Sequence, residues 1–203
     1  MKRILEIPQV YNFYQRLVGV YPYMKVFSQK YIFPVGKDKK IFKILDMGCG
    51  TGIIIPYLPK NIEYLGIDCS FKYIEYVQKR NPNKKFLCQS VCKKITNNDV
   101  YDLVLSKNVM SALSNEQLVK MIEVIIPHCD ENTKIIFSDM DYKSNACVVQ
   151  RFFQSHERNR YIRSKDDYLN FLPLYFNVEN VHEISGMYRI PYSKVVFECS
   201  LKN

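Results

Sequence analysis

The stretch Ile44-Leu45-Asp46-Met47-Gly48-Cys49-Gly50-Thr51-Gly52 leads from an apolar run directly into three glycines at alternate positions. The apolar residues of 41–47 predict a buried first strand. Glycine is needed where a chain turns sharply and where a ligand must lie against bare backbone. A helix that begins after such a turn also offers free backbone amides. The stretch therefore predicts a strand, a tight turn and a ligand-binding loop.

An acidic residue ends the next apolar run. Residues 64–67 predict a second strand, and Asp68 follows it, twenty residues after Gly48. A carboxylate at that position can accept hydrogen bonds from both hydroxyls of a ribose. A dinucleotide site has a similar layout, but its GxGxxG fingerprint requires glycine where this chain has Ile53. The pattern therefore favours a nucleoside ligand other than a dinucleotide.

Beyond residue 40, short apolar runs alternate with amphipathic stretches, which is typical of βαβ units around a parallel sheet. Strands are predicted at 41–47, 64–67, 85–88, 101–106 and 133–138, with a final pair at 178–184 and 191–199. Helices are predicted after the glycine turn (ending near Pro59) and at 71–80, 115–126 and 166–174. The pattern predicts an α/β fold: a seven-stranded, mostly parallel sheet with helices on both faces and an antiparallel C-terminal hairpin strand.

The length of 203 residues suits one domain. We expect residues 1–203 to form it, with a helical N-terminal lid at 1–40 and a polar insertion on the substrate side at 139–165. No apolar run approaches the ~20 residues of a membrane helix. The N-terminus lacks the apolar core of a signal peptide. We therefore expect a cytoplasmic protein that does not contact membranes.

The net charge and the cysteine content limit the binding partners and metal sites that can be expected. The formal net charge of +9 fits either a lysine-rich solvated surface or an anionic partner, nucleic acid or small molecule. No basic stretch interleaves aromatic residues as nucleic-acid-binding modules do, so nucleic acid is not favoured. The seven cysteines are scattered and predict free thiols. No cluster has metal-ligand spacing, so no metal site is predicted.

Residues 46–52 resemble motif I of the class I S-adenosylmethionine (SAM)-dependent methyltransferases, and Asp68 resembles their motif II acid. The resemblance covers nearly the whole chain and favours a methyltransferase over a dehydrogenase or a purely structural glycine turn. It implies SAM as methyl donor and S-adenosylhomocysteine (SAH) as product. It also implies that the glycine loop binds the methionine part of SAM and that the acid binds its ribose. By the same resemblance, two residues lie beside the adenine and two form the floor of the site. The implied cofactor-binding residues are Asp46, Gly48, Cys49, Gly50, Thr51, Gly52, Asp68, Cys69, Ser90, Val91, Lys107 and Asn108.

The chain also resembles a narrower bacterial group in that class, through Ile7-Pro8, Tyr11 and the segment 189–192, Arg-Ile-Pro-Tyr. It departs from the wider pattern at Ser90, where many members have an acid. It departs from the narrower group at Ser111-Ala112, where paired histidines are frequent. The second departure argues against a histidine base from this loop.

A sulfonium already carries an activated methyl group, so the enzyme must mainly align the acceptor and exclude water. A positioned base adds about 10²–10⁴-fold. The candidate bases are His156, Glu157 and Asp139, whereas His128 and His182 are predicted to be structural. The candidate substrate-binding residues are Tyr11 and Tyr14, as a lid, and Arg158, Arg160 and Arg163. These arginines can grip phosphate or carboxylate, or they can belong to a solvated helix on which acids and arginines pair.

The sequence predicts methyl transfer to an O or N atom of a small acidic metabolite or saccharide unit. After strand four there is no Asn/Asp-Pro-Pro-Tyr/Phe motif, which lowers the case for nucleobase amine methylation. Two alternatives stay open: an RNA or protein methyltransferase, favoured by the charge, and a SAM-binding protein without catalysis.

Overall fold

Seven strands form one sheet in the order β3-β2-β1-β4-β5-β7-β6. The computed structural model describes residues 4–142, 160–190 and 193–202. The strands are β1 (Phe42–Met47), β2 (Ile62–Asp68), β3 (Lys85–Cys88), β4 (Leu103–Lys107), β5 (Lys134–Met140), β6 (Phe176–Ile184) and β7 (Lys194–Leu201). Only β7 runs antiparallel to its neighbours β5 and β6. The predicted mixed sheet with its C-terminal hairpin is confirmed.

Helices surround the sheet on both faces. They are α1 (Pro8–Leu17), α2 (Val20–Phe27), α3 (Phe33–Gly36), α4 (Phe71–Arg80), α5 (Asn115–Ile125) and α6 (Lys165–Phe171). A π-helical turn, Ser28–Ile32, joins α2 to α3. Within the described ranges, no helix combines the length and the apolar character needed to cross a membrane.

Two apolar cores lie on opposite faces of the sheet. Side chains alternate along each strand, so Val104 of β4 belongs to the core that includes α5 and α6, while Leu103 and Leu105 belong to the core that includes α2 and α4. The chain order reverses between β1 and β4, which pair with each other in the centre of the sheet. Ligands of open α/β sheets bind at this switch point, beside the carboxyl ends of the strands.

The predicted helix after the glycine turn is reduced to one 3-10 turn, Ile55–Tyr57. The residue before a proline is pushed out of the helical region. Accordingly Leu58, which precedes Pro59, is extended, with φ −80° and ψ 157°. β7 also begins three residues later than predicted, at Lys194.

A capping box begins α5. Ser114 Oγ accepts a hydrogen bond from the Gln117 amide (3.3 Å), and Gln117 Oε1 accepts one from the Ser114 amide (3.0 Å). We predict that Ser114→Ala lowers the free energy of unfolding by about 1 kcal/mol, because an amide at the helix start loses its partner. Urea denaturation measures the change. Ser185→Ala, at an exposed serine, is the control and should stay within about 0.5 kcal/mol of the wild type.

Candidate active site

The glycine loop after β1 requires glycine at all three positions, for two different reasons. Gly48, Gly50 and Gly52 have φ of 79°, 57° and 72°, a region that costs other residues about 1–2 kcal/mol. A Cβ on Gly48 would lie 2.2 Å from Val109 Cγ2, and one on Gly52 would lie 2.5 Å from Val77 Cγ2. A Cβ on Gly50 would meet nothing within 4 Å. Gly50 is therefore the position where backbone is open to a ligand.

The Asp68 carboxylate fixes this loop from the end of β2. Its Oδ2 accepts a hydrogen bond from the Gly50 amide (3.0 Å), and its Oδ1 accepts one from the Ser70 amide (2.8 Å). A carboxylate oxygen can accept more than one hydrogen bond. The acid that the sequence assigns to a ribose is thus already oriented beside Gly50.

Asp46 lies beneath the loop with no exposed surface. Its Oδ2 accepts a hydrogen bond from the Tyr64 hydroxyl (2.7 Å), and its Oδ1 lies 3.5 Å from Lys107 Nζ. Asp46 and Lys107 therefore join β1, β2 and β4 inside the protein. Burial raises the pKa of the Cys49 thiol, and the Asp46 carboxylate raises it further, so Cys49 is a neutral packing residue of the loop.

The N-terminal helix α1 lies against the glycine loop. Thr51 Oγ1 donates a hydrogen bond to Asn12 Oδ1 (2.5 Å), and Asn12 Nδ2 donates one to the Tyr76 hydroxyl (3.1 Å). The Tyr11 ring lies 5.3 Å from the Tyr73 ring. Tyr14, on the same helix, is half-buried. The sequence analysis did not predict this role of Asn12. The one feature that could have indicated it is the position of Asn12 between aromatic residues of the N-terminal helix.

Residues after β2 and β3 meet on one side of Asp68. The Gln89 amide donates a hydrogen bond to the Asp68 carbonyl (3.0 Å). Ser90 Oγ accepts one from the Cys92 amide (3.2 Å) in a tight turn. Ser90 and Cys69 are exposed, and Val91 is buried. Cys69, Ser90 and Val91 therefore line the side of the loop to which the sequence assigns an adenine.

Asn108, directly after β4, is the only non-glycine residue with a positive φ (56°) among those described. Its amide donates a hydrogen bond to the Ser138 carbonyl (2.8 Å). Its Oδ1 accepts one from Lys194 Nζ, at the start of β7. Sequence reasoning missed Lys194, because a lysine before the apolar strand Val195–Cys199 carries no motif.

Asp139 stabilises the loop after β4 through hydrogen bonds to its carboxylate. Its carboxylate has no exposed surface; Oδ2 accepts a hydrogen bond from the Ser111 amide (3.1 Å), and Oδ1 accepts one from the Met140 amide (2.8 Å). Burial raises the pKa of Asp139, and these hydrogen bonds oppose that rise. The geometry therefore does not favour the predicted role of Asp139 as a base that faces substrate.

The Arg163 guanidinium, which the sequence predicts to bind an anion, donates hydrogen bonds mainly to the loop after β4. Its nitrogens donate to the carbonyls of Met110 (2.8 Å), Leu113 (2.9 Å) and Tyr161 (3.0 Å). Nη2 (2.7 Å) and Nε (3.3 Å) also donate to Asn115 Oδ1. A guanidinium has five N–H donors, and these five hydrogen bonds use them.

The remaining candidates divide into two groups. His156, Glu157 and Arg158 lie outside the described residues, whereas Arg160 is described and exposed. His128 Nδ1 lies 2.8 Å from the Asp99 carbonyl, and His182 Nε2 lies 2.6 Å from Glu198 Oε1, which fits the predicted structural roles of both. Across the described ranges, no group of three or more His, Cys, Asp or Glu is arranged to hold a metal ion.

Comparison with known proteins identifies the class. Residues 44–132, less than half of the chain, match the family model described as "Methyltransferase domain". No curated protein matches the sequence. A SAM-dependent methyltransferase from Clostridium acetobutylicum ATCC 824 has a similar structure, with a TM-score of 0.71 and 12% identity over 96% of this chain and 98% of that chain.

Two further similar structures were solved with SAH. Magnesium protoporphyrin IX methyltransferase from Synechocystis PCC 6803 has a TM-score of 0.68 and 19% identity, over 93% of this chain and 87% of its own. N-methyltransferase NodS from Bradyrhizobium japonicum WM9 has a TM-score of 0.67 and 10% identity, over 88% of this chain and 87% of its own. Residues 44–132 thus match a methyltransferase domain, and the chain has the fold of the class I SAM-dependent methyltransferases.

We predict that Arg163→Lys lowers the free energy of unfolding by about 2 kcal/mol, because the partly buried carbonyls of Met110 and Leu113 lose their donors. Urea denaturation measures the loss, with exposed Arg160→Lys as the control. If Arg163→Lys leaves stability unchanged and instead weakens binding of an acidic acceptor, the structural role assigned to Arg163 is wrong.

Proposed function

We propose that this methyltransferase transfers the methyl group of SAM to an O or N atom of a small acidic metabolite or saccharide unit in the cytoplasm. The observation that carries the proposal is the open backbone at Gly50 beside the oriented Asp68 carboxylate. SAM supplies an electrophilic methyl group when bound. The protein's task is to hold donor and acceptor in line and to exclude water.

The arrangement supports a division of roles around that point. The backbone of 48–52 holds the methionine part, and the Asp68 carboxylate accepts hydrogen bonds from ribose hydroxyls. Cys69, Ser90 and Val91 border the adenine. We propose residues 1–203 as one domain, in which 1–40 is a lid and 139–165 lies on the substrate side. The hydrogen bond between Asn12 and Thr51 supports the lid assignment, because it closes α1 over the glycine loop.

A small acceptor is favoured over a macromolecule by this lid, because α1 occupies the approach to the loop. One similar structure is named as an N-methyltransferase and another as magnesium protoporphyrin IX methyltransferase, and the second name is consistent with a non-macromolecular acceptor. The net charge of +9 is compatible with an acidic acceptor, as it is with a lysine-rich solvated surface. It also supports the second candidate, an RNA methyltransferase, for which binding would weaken steeply with salt.

We predict that Gly50→Ala abolishes measurable SAH binding while the protein stays folded, because the added methyl group enters the open space without meeting protein atoms. Gly186 is the matched control: it has a φ of 71°, and its Cβ also would meet nothing within 4 Å. Gly186→Ala carries the same backbone strain away from the loop and should bind SAH like the wild type. Isothermal titration calorimetry measures both. Equal SAH affinity in the two variants would contradict the assignment of the loop.

The acceptor is identified by incubating the protein and SAM with pools of acidic metabolites, saccharides, amines and total RNA, and by measuring SAH release. We expect release with an acidic small-molecule pool, reduced at least tenfold in Glu157→Gln or Arg158→Ala if these residues act on the acceptor. Activity confined to RNA would replace the first proposal by the second. Tight SAM binding without SAH release in any pool would support a non-catalytic role.

A further inference from the structure

We propose that Asn108, held in place by Lys194, binds the methyl acceptor through its side-chain NH₂ group and selects acceptors with an ionised oxygen. This inference rests on the proposed function, specifies its substrate class, and replaces the cofactor-binding role that the resemblance implies for Asn108. Asn108 stands at the carboxyl end of β4, the strand that pairs with β1 at the switch point of the sheet. It is therefore beside the glycine loop, and its side chain is exposed.

The orientation of the Asn108 amide follows from the chemistry of its partner. An ammonium group has three donors and no acceptor, so the Asn108 atom that Lys194 Nζ contacts is the oxygen Oδ1. The NH₂ group then points away from Lys194. Among the residues that the structure describes, none accepts a hydrogen bond from Asn108 Nδ2. Asn108 thus presents an exposed donor next to Val109, the residue that contacts the glycine loop at Gly48.

The backbone of Asn108 is fixed as firmly as its side chain. Its φ of 56° lies in the left-handed region, which asparagine tolerates better than most residues. The hydrogen bond from its amide to the Ser138 carbonyl links it to β5. Residues held in this region cluster where function requires a preset geometry. The NH₂ group is therefore held ready before any acceptor arrives.

Lys194 adds positive charge behind that donor. It is 5% exposed, and its Nζ lies 5.7 Å from the ring centre of Tyr23 and 5.5 Å from that of Tyr188. Both rings fix the ammonium through cation–π contacts. In a surrounding of low dielectric, this charge polarises the Asn108 amide and strengthens its donor character. The Asp139 carboxylate lies close enough for Lys194 to lower its pKa and offsets part of this charge. The remaining positive charge disfavours a cationic amine as acceptor.

An acceptor that is already ionised needs no general base. Its anionic oxygen attacks the methyl carbon of SAM, an O–CH₃ bond forms and the S–CH₃ bond breaks. The electron pair of the broken bond goes to sulfur, so the anion and the sulfonium both become neutral and no proton moves. This agrees with Asp139, whose carboxylate is committed to the Ser111 and Met140 amides.

The test is a titration of ¹⁵N-labelled, SAH-loaded protein with acetate, a small carboxylate, at constant ionic strength. We expect the Asn108 side-chain NH₂ signal and the backbone amides of Val109 and Met110 to shift. The affinity should fall about tenfold in Lys194→Met, because a charge-assisted contact is lost. Lys134→Met is the control, at a surface lysine of β5 paired with Glu179, and should respond like the wild type.

Asn108→Asp gives a second variant, which removes the NH₂ group and keeps an oxygen for Lys194, so the backbone amides should no longer respond to acetate. The inference is overturned if acetate causes no shift in the wild type, if Lys194→Met binds it equally well, or if methylammonium causes the shifts instead. Calorimetry with SAH on the same samples separates the two proposals. Absence of SAH binding refutes the proposed function, whereas normal SAH binding without an acetate response refutes only the inference about Asn108.

Discussion

The hydrogen bond from the Gly50 amide to the Asp68 carboxylate links the glycine loop to the end of β2. The proposed SAM site depends on these two parts of the chain lying together. Gly50 makes this hydrogen bond while its backbone has a positive φ of 57°. β1 and β2 pair in parallel register from Phe42–Ile62 to Met47–Ile67, so their carboxyl ends reach the same edge of the sheet. A slip in that register would separate the carboxylate from the loop.

The loop after β4 is held by segments that are far apart in the chain. Arg163 binds its carbonyls, Asp139 binds the Ser111 amide, and Lys194 binds Asn108. These contacts come from the segment before α6, from β5 and from β7. A backbone in irregular conformation must find partners for its polar groups outside regular secondary structure. Here three charged side chains supply those partners, and together they fix the conformation of the loop.

Much of the fold could be predicted from the sequence, because hydrophobic periodicity and the glycine turn are local signals. The bounds of α4 and β3 agree residue for residue with the predicted 71–80 and 85–88. The polar contacts could not be predicted in the same way. The sequence around Arg163 does not show whether its guanidinium binds a ligand or binds the protein's own carbonyls. Its partners Met110 and Leu113 lie about fifty residues away in the chain. Lys194 gave no signal at all, because its role depends on where β7 inserts between β5 and β6.

The contact between Val109 and Gly48 has a thermodynamic consequence. A Val109 methyl group occupies the space that a Cβ on Gly48 would need, so the two loops fit against each other without a gap. Any shift of one loop then requires a shift of the other, because a packed interior does not deform continuously. Two ligands that each favour one arrangement of this pair of loops must strengthen each other's binding by equal factors. Because Gly48 has no side chain, the glycine loop and the loop after β4 are mechanically joined at this contact.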